Sequence, residues 1–351
     1  SGINFIDEIR LGNQAQFLHD NFDLKLITKD LKLHQFLSKN EKFDLNGFLS
    51  SEIIINQNEE LQSASAKIIT KNLALNQNLI GDFDFSLSGS PIYKTYKIST
   101  SVINDGKKNI LGLGNVFIVD KNINLDVDFN LDDFDLSFLS SFGKNKVNRI
   151  HGIVSGNLNL WGSLSDIKLK GKTTINKGNL YLPITNTEYK IRDKTPIFFQ
   201  DQSIRFINTE LLDSYEKTVA NANGNLFHKN FKDWGIDLDV TSKRLLLFNK
   251  TKNLESRFYG KGFLNGKASF KGPFKSVNLS VSGVTANGTN IVIPWQENKG
   301  LSDTSFIDFV PKSQNKVKES PNAVSSFDEQ IRGFEMIFDL DITRDAELEI
   351  V

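Results

Sequence analysis

Cysteine is absent from the sequence, and methionine occurs once in 351 residues. Without thiols the chain can form no disulfide, no zinc–thiolate site and no cysteine nucleophile. No run approaches the roughly eighteen apolar residues that a membrane-spanning helix needs, and no signal peptide is visible. Because 42 basic residues balance 42 acidic ones without a basic stripe, we expect no nucleic-acid partner.

Sequence signatures of catalysis are missing as well. No nucleophile elbow, Walker loop or dinucleotide fingerprint occurs in the chain. The four histidines lie far apart without metal-ligand spacing and are interpreted as surface or turn residues: His19, His34, His151 and His228. The sequence therefore predicts no catalytic residue, no metal site, no cofactor and no enzyme.

One acidic run could be mistaken for a calcium site. It comprises Asp126, Asp128, Asp132, Asp133 and Asp135, which alternate with apolar residues. A calcium loop instead clusters its oxygen ligands around a sharp glycine turn. We therefore expect these carboxylates to line the solvated outer face of a strand.

Alternation of apolar and polar residues dominates the chain, and long amphipathic helices are missing. Such alternation is typical of strands with one apolar and one wet face. Strands are predicted at 48–56, 64–70, 82–88, 92–103, 109–119, 122–131, 186–192, 203–211, 217–228 and 234–248. The apolar phase slips by one residue after Leu131, which predicts a β-bulge near Asp132 and Asp133.

A glycine-rich block between His151 and Pro183 returns between Lys261 and Pro294. Its first three glycines recur 110 residues later. Glycines between short alternating stretches, closed by a proline, predict strands joined by tight turns. The predicted turn glycines are Gly152, Gly156, Gly162, Gly171, Gly178, Gly262, Gly266, Gly272, Gly283 and Gly288.

The alternating segment ahead of this block repeats too. Residues 125–129 correspond to residues 236–240 and 338–342, and an earlier copy begins at Phe22. A fixed period of this kind predicts a repeat architecture that grows by stacking. We expect a poorly defined lead-in at 1–20, a repeating groove at 21–295 in units of about 100–110 residues, a polar loop at 296–331 and further strands at 332–351.

The apolar positions of these segments fall on one side of the predicted sheet. They either fill a closed solenoid or sandwich core, or line an open trough that must hold an apolar ligand. The predicted lining residues are Leu24, Leu26, Phe83, Phe85, Ile123, Leu125, Val127, Phe129, Ile236, Leu238, Val240, Met336, Phe338, Leu340 and Ile342.

The repeat resembles the C-terminal repeat region of the TamB family, the inner-membrane-anchored part of the translocation and assembly module, which is related to AsmA-like proteins. Residues 334–351 are similar to the strand shortly before that family's C-terminal segment, and the Phe- and Asn-rich composition resembles Bacteroidetes versions. The residues that carry the resemblance are Gly156, Asn157, Leu158, Gly162, Asp166, Leu169, Gly171, Asn176, Lys177, Gly178 and Pro183.

The resemblance implies an all-β fold, in which an elongated, repetitive antiparallel sheet curls into a groove with an apolar interior. It implies a periplasmic protein that is anchored in the inner membrane through a segment outside this sequence and reaches the outer membrane. The implied partners are a phospholipid or other amphiphile and an Omp85-type outer-membrane protein, TamA-like or BamA-like.

The function implied by the resemblance is support of outer-membrane biogenesis. The groove would carry phospholipid acyl chains, assist insertion of outer-membrane proteins, or do both. Two alternatives stay open. One is a scaffold that templates client strands along its exposed sheet edges. The other is a surface β-solenoid, either an adhesin or a polysaccharide-active protein, with a filled core.

Overall fold

Strands make up nearly all of the described structure. The computed structural model describes residues 22–35, 44–57, 62–143, 147–183, 185–252, 259–294 and 334–350. Short helical segments occur at Leu33–Gln35, Ser137–Leu139 and Ser140–Gly143. The strands are β1 (Phe22–Lys32), β2 (Leu45–Gln57), β3 (Gln62–Leu75), β4 (Asn78–Ser90), β5 (Thr95–Asn104), β6 (Lys107–Val119), β7 (Asn122–Asp135), β8 (Asn148–Ser163), β9 (Asp166–Leu182), β10 (Thr187–Ile191), β11 (Thr195–Asp201), β12 (Ser203–Asp213), β13 (Val219–Lys229), β14 (Lys232–Lys250), β15 (Tyr259–Pro273), β16 (Val277–Thr285), β17 (Asn290–Ile293), β18 (Phe334–Asp341) and β19 (Glu347–Ile350).

These strands form one 19-stranded sheet in which the chain meanders. From β1 to β9 each strand pairs antiparallel with the next. Strands β10 and β11 both pair with β9 and β12, so they share one rung of the sheet. The antiparallel meander then continues through β13, β14 and β15 to β16 and β17, which share the next rung.

The last rung differs, because β18 and β19 pair parallel with β16 and β17. Nineteen strands with three shared rungs give sixteen rungs, which span roughly 70 Å at about 4.8 Å each. The expected all-β, elongated and repetitive fold is confirmed. The expected lead-in at 1–20 and polar loop at 296–331 lie outside the described residues.

Each predicted strand overlaps an observed one, and alternation assigns the two faces. In β4, Phe83, Phe85 and Leu87 share the face that we call the inner face, while Asp82 and Asp84 lie on the outer face. In an antiparallel pair, register partners point to the same side of the sheet. The pairing therefore extends both faces from strand to strand across the whole sheet.

A line of β-bulges crosses the sheet. The predicted bulge near Asp132 and Asp133 is confirmed, since the register of β7 against β8 shifts between Leu131 and Phe134 and Asp133 has a φ of 53°. Asn72 and Asn208 adopt similar φ angles of 50° and 45° at comparable shifts. Asp and Asn tolerate this left-handed conformation better than most residues.

Polar side chains on the next strand satisfy the backbone N–H groups at these bulges. The N–H of Asp133 donates to Ser155 Oγ at 3.0 Å, and that of Asn208 donates to Asn223 Oδ1 at 2.7 Å. A bulge bends its strand and increases its twist. The bulges of β3, β7 and β12 come directly after residues of one register row, so they lie on one line across the sheet. They bend the sheet along that line and help it to curl.

The expectation that the repeated glycines form turns is wrong for nine of the ten. Only Gly288 lies in a turn, between β16 and β17. The other nine lie inside β8, β9, β15 and β16: Gly152, Gly156, Gly162, Gly171, Gly178, Gly262, Gly266, Gly272 and Gly283.

Two of these glycines show the physical reason. Gly156 and Gly171 adopt φ angles of 147° and 148° within their strands. A Cβ on Gly156 would lie 2.7 Å from the Cα of Thr173, and one on Gly171 would lie 2.9 Å from the Cα of Leu158. Glycine is required here because neighbouring backbones approach too closely for any side chain.

We predict that Gly156→Ala lowers the free energy of unfolding by about 3 kcal/mol, because it adds a backbone clash to an unfavourable φ. Gly106 is the matched control, since its φ is 76° and a Cβ there would meet nothing within 4 Å. Gly106→Ala should cost only about 1 kcal/mol. Urea unfolding followed by tryptophan fluorescence measures both, and equal losses would show that the close approach does not matter.

Candidate functional site: the apolar inner face

One register row on the inner face crosses all sixteen rungs, and we call it the central row. Its members are apolar residues, glycines and threonines, without a single charged residue. In order they are Leu31, Leu49, Thr70, Phe83, Val102, Ile110, Leu131, Gly156, Thr173, Ile197, Phe206, Gly224, Leu238, Phe270, Leu279 and Met336.

Most of the predicted lining residues fall on this row or beside it. Phe83, Leu238 and Met336 belong to the central row. A flanking row joins Phe85, Phe129 and Ile236, and further rows join Leu26 to Val127 and Leu24 to Leu125. On the other side of the central row, Val240 and Phe338 share a row through β15 and β16.

Three predicted lining residues lie near strand ends. Ile123 is the second residue of β7 and is 40% exposed, whereas Ile342 follows β18 and is 60% exposed. Leu340 is partly buried against apolar residues of the neighbouring strands. The apolar lining is therefore continuous in the middle of the strands and becomes exposed near these strand ends.

Burial on the inner face changes along the sheet. In β4 and β7 the inner phenylalanines Phe83, Phe85 and Phe129 are only half-buried, whereas the predicted lining residue Val127 of β7 is 2% exposed. Toward the C-terminus the inner face closes into a buried cluster, which we call the C-terminal core. It consists of Tyr189, Ala220, Ala222, Val240, Leu245, Leu264, Ala268 and Val281.

Contacts between distant rungs show that the sheet curls. Tyr189 of β10 donates from its hydroxyl to the carbonyl oxygen of Leu246 in β14 at 2.8 Å, and burial raises the pKa of its phenol. The N–H of Asn249 donates to the carbonyl oxygen of Thr185 at 2.9 Å. The β9–β10 hairpin therefore folds over the inner face and closes it at this point.

A second, looser contact occurs nearer the N-terminus. Asn78 at the start of β4 donates to Ser141 Oγ at 2.9 Å, in the connection that follows β7. Three rungs would separate β4 from β7 by about 14 Å in a flat sheet. Phe138 of this connection packs against Phe134 near the end of β7, with ring centroids 5.8 Å apart, and against Phe142, with ring centroids 6.5 Å apart.

Comparison with family models gives a match for the C-terminal part of the chain. Residues 208–351 match the family model of the TamB C-terminal domain. These residues belong to the TamB family. The resemblance to the TamB family is thereby confirmed for residues 208–351, a range that does not include the residues 156–183 on which it rested. The similarity to Bacteroidetes versions stays a prediction. No curated protein and no solved structure matches the chain.

Membership of the TamB family suggests a role in the translocation and assembly module and in outer-membrane biogenesis, and it implies a location in the cell envelope. TamB proteins are of a bridge or transport type rather than a known enzyme family, and they act with an outer-membrane Omp85 partner. Within the described residues, no helix is long and apolar enough to span a membrane.

Two buried hydroxyls interrupt the apolar lining near the TamB domain. Thr173 and Thr209 are 1% and 2% exposed, and their Oγ1 atoms have no hydrogen-bond partner among the described residues. Sequence reasoning missed them because threonine suits either face of a strand. An unpaired buried hydroxyl is costly, so these two threonines lower the stability of the apolar layer around them.

The outer face is polar, as expected for the acidic run in β7. Asn159 donates to Asp126 and Asp128 at 2.8 and 2.9 Å. Lys107 lies 3.2 Å from Asp132 and 2.7 Å from Asp133, and its hydrogen bond lowers the pKa of the Asp133 carboxyl. The interpretation of these carboxylates as a solvated strand face is confirmed.

His228 near the end of β13 is buried within the TamB domain, so the prediction that it is a surface or turn residue is wrong. His228 is 5% exposed and stacks on Phe231 with ring centroids 4.6 Å apart. Its Nδ1 accepts a hydrogen bond from the Phe231 N–H at 3.1 Å. Burial lowers the pKa of this imidazole, since the charged form would lose hydration and Nδ1 would become a donor facing a donor.

We predict that the stability of the domain falls as the pH drops below about 6.5, where the unfolded chain takes up a proton at His228 and the folded chain resists it. The contribution of His228 is complete above the unfolded pKa and is lost as the pH falls toward the lower, folded pKa. Urea midpoints from about pH 7.5 to pH 5 measure this slope. His228→Phe should flatten it, whereas an unchanged slope in His228→Phe would assign it to other groups.

Proposed function

We propose that the inner face of this chain carries phospholipid acyl chains between the inner and outer membranes. The central row carries the proposal, because it offers an uncharged, largely apolar path across sixteen rungs. In β4 and β7 the phenylalanines on and beside that row are only half-buried, so part of their apolar surface is available to a ligand. Membership of the TamB family supports a role between the two membranes.

The energetic reason for such a path is the cost of exposing an acyl chain to water. At about 0.8 kcal/mol per CH2 group, a chain of about 16 carbons costs on the order of 12 kcal/mol. A continuous apolar lining removes most of this barrier.

The same groove would assist insertion of outer-membrane proteins, with an Omp85-type partner that is TamA-like or BamA-like at the outer membrane. An anchor beyond the sequence would hold the protein in the inner membrane. The TamB match and the length of the sheet support both roles, and both would require the protein to lie in the periplasm.

A scaffold that templates client strands is the alternative that the sheet edges favour. The outward edge of β1 carries backbone groups that a client strand can pair with, and edge strands are natural templates. A filled solenoid adhesin or polysaccharide-active protein is disfavoured by the half-buried inner residues of β4 and β7. A second layer over them would have buried these phenylalanines.

Photo-crosslinking in cells tests the lipid role. A benzophenone amino acid replaces the inward Phe129 in one variant of the full-length protein and the outward Asp128 in another, and adducts are identified by mass spectrometry. These neighbours lie on the same strand and differ in the face they occupy. We expect lipid adducts at position 129 and none at position 128.

Other adduct patterns would contradict this proposal. Adducts to outer-membrane proteins at outward or edge positions, without lipid at position 129, would favour the scaffold. The absence of adducts at both positions would favour a filled core.

A charge in the lining should block the path. We predict that Phe129→Asp lowers lipid adducts to a benzophenone at Phe85 by at least tenfold, because an acyl chain cannot pass a carboxylate without desolvating it. Asn130→Asp is the matched control, since it places the same charge one residue away on the outer face, where Asn130 donates to Asn157. Leu238→Asp repeats the test within the TamB domain, and equal adduct yields in lining and control variants would count against a conduit.

A further inference from the structure

The outer face around β8 carries its charges on two separate rungs. The outward positions of β7 include Asp126 and Asp128, and those of β9 include Lys168 and Lys170. Two register rows cross these strands, and each passes from an aspartate of β7 through β8 to a lysine of β9. Asp126, Asp128 and Lys170 are exposed, and Lys168 is half-buried. β8 therefore lies between an acidic rung and a basic rung.

The residues of β8 in these two rows are uncharged, and they keep the opposite charges apart. They are Trp161, whose ring centroid lies 5.0 Å from the Nζ of Lys168, and Asn159, which donates to both aspartates. Two rungs separate the backbones of the aspartates and lysines by about 9.6 Å. Lys168 pairs with Asp166 of its own strand at 3.1 Å, whereas Lys170 forms no ion pair with a described residue.

Strands β14 and β15 arrange the same kinds of residue differently. Asp237 and Asp239 of β14 lie on the strand next to β15, where they pair with Lys271 at 3.5 Å and with Lys267 at 2.9 Å. These charges compensate each other within one chain. The aspartates of β7 and the lysines of β9 do not, because an uncharged strand lies between them.

We propose that the outer face centred on β8 binds a second copy of this chain, turned by 180° about an axis parallel to β8. This rotation places β9 of the second copy over β7 of the first, and β7 over β9. Asp126 then faces Lys168 of the second copy, and Asp128 faces Lys170. In the adjoining rows an asparagine of β7 faces a charged residue of β9, so no like charges meet: Asn124 faces Asp166, and Asn130 faces Lys172.

The order of the charges favours a second copy over a partner of one charge sign. A polyanion on this face would be attracted by β9 and repelled by β7, and a polycation would meet the reverse. A second copy matches both rungs at once, because a twofold pair uses the same patch on each side. The contact leaves the inner face free, so this inference does not rest on lipid transport.

Apolar residues beside the two rungs fit the same arrangement. Leu113 of β6 is 52% exposed in the middle of the outer face. The rotation places the outward residues of β6 over those of β11, so that Leu113 faces Gln200 and Leu111 faces Phe198 of the second copy. Pairing would remove this apolar surface from water, which adds a favourable contribution that salt does not screen.

The size of the patch sets the strength of the pair. The five rungs from β6 to β11 cover about 24 Å, and six residues along each strand cover about 20 Å, which gives on the order of 500 Å2 per copy. Stable interfaces bury about 800 Å2 per partner. We therefore expect a weak pair that weakens further as salt rises, because exposed charges are screened.

Sedimentation equilibrium of the chain tests the proposal, at concentrations up to about 100 µM because an interface of this size is weak. The variant D126K/D128K makes both rungs basic, and K168D/K170D makes both acidic. Each variant alone should pair at least about tenfold more weakly than the unmodified chain, since like charges then face each other on both rungs. Circular dichroism checks that each variant keeps its strands.

An equal mixture of the two variants should pair again, because two basic rungs then face two acidic ones. The combined variant D126K/D128K/K168D/K170D should pair with itself for the same reason. An unmodified chain that stays monomeric over the whole range would overturn the proposal. Undiminished pairing of both variants alone, or a mixture that stays monomeric, would overturn it as well.

Chemical crosslinking locates the axis independently. Asn157 is exposed on β8, so the proposed rotation brings the two copies of this residue together. Cysteine is absent from the chain, and Asn157→Cys should therefore give a covalent dimer with a short bismaleimide. Ser280→Cys is the matched control, because Ser280 is exposed on the same face of β16, seven rungs from β8. Equal dimer yields at both positions, or none at Asn157→Cys, would contradict the proposed axis.

Discussion

The ladder of backbone hydrogen bonds between successive strands is the constraint on which this structure depends. Because register partners in an antiparallel pair face the same side, one apolar position in each strand is enough to build a row across the whole sheet. A one-residue error in any pairing would turn that strand's apolar residues outward. The meander, the central row and the polar outer face therefore follow from one pairing pattern.

Much of this could be predicted from alternation alone. Strict alternation in β4 and β7 was enough to assign the two faces of the sheet. The bulge after Leu131 could be predicted because the apolar residues change there from odd to even positions. The role of the repeated glycines was predicted wrongly. Gly156 and Gly171 look like turn residues, but they lie inside strands and allow neighbouring backbones to approach closely. The short strand β11, between Thr195 and Asp201, was missed because it lacks strict alternation.

The curl and the parallel pairing of β18 with β16 could not be predicted, because both depend on contacts between distant segments. The hydrogen bond from Tyr189 to Leu246 joins rungs that no local pattern relates. Nothing in the alternating sequence of β18 indicated β16 as its parallel neighbour.

The inner face has two energetic roles along its length. At the C-terminal core the apolar side chains bury one another under the β9–β10 hairpin, so their transfer from water stabilises the fold. In β4 and β7 the same row is half-buried, and its remaining apolar area stabilises nothing until a ligand covers it. A bound acyl chain would therefore add to the stability of the open part of the groove, but it would have to displace packed side chains in the closed part. The closure at Tyr189 is thus the point where passage of a chain along the groove would meet the greatest resistance.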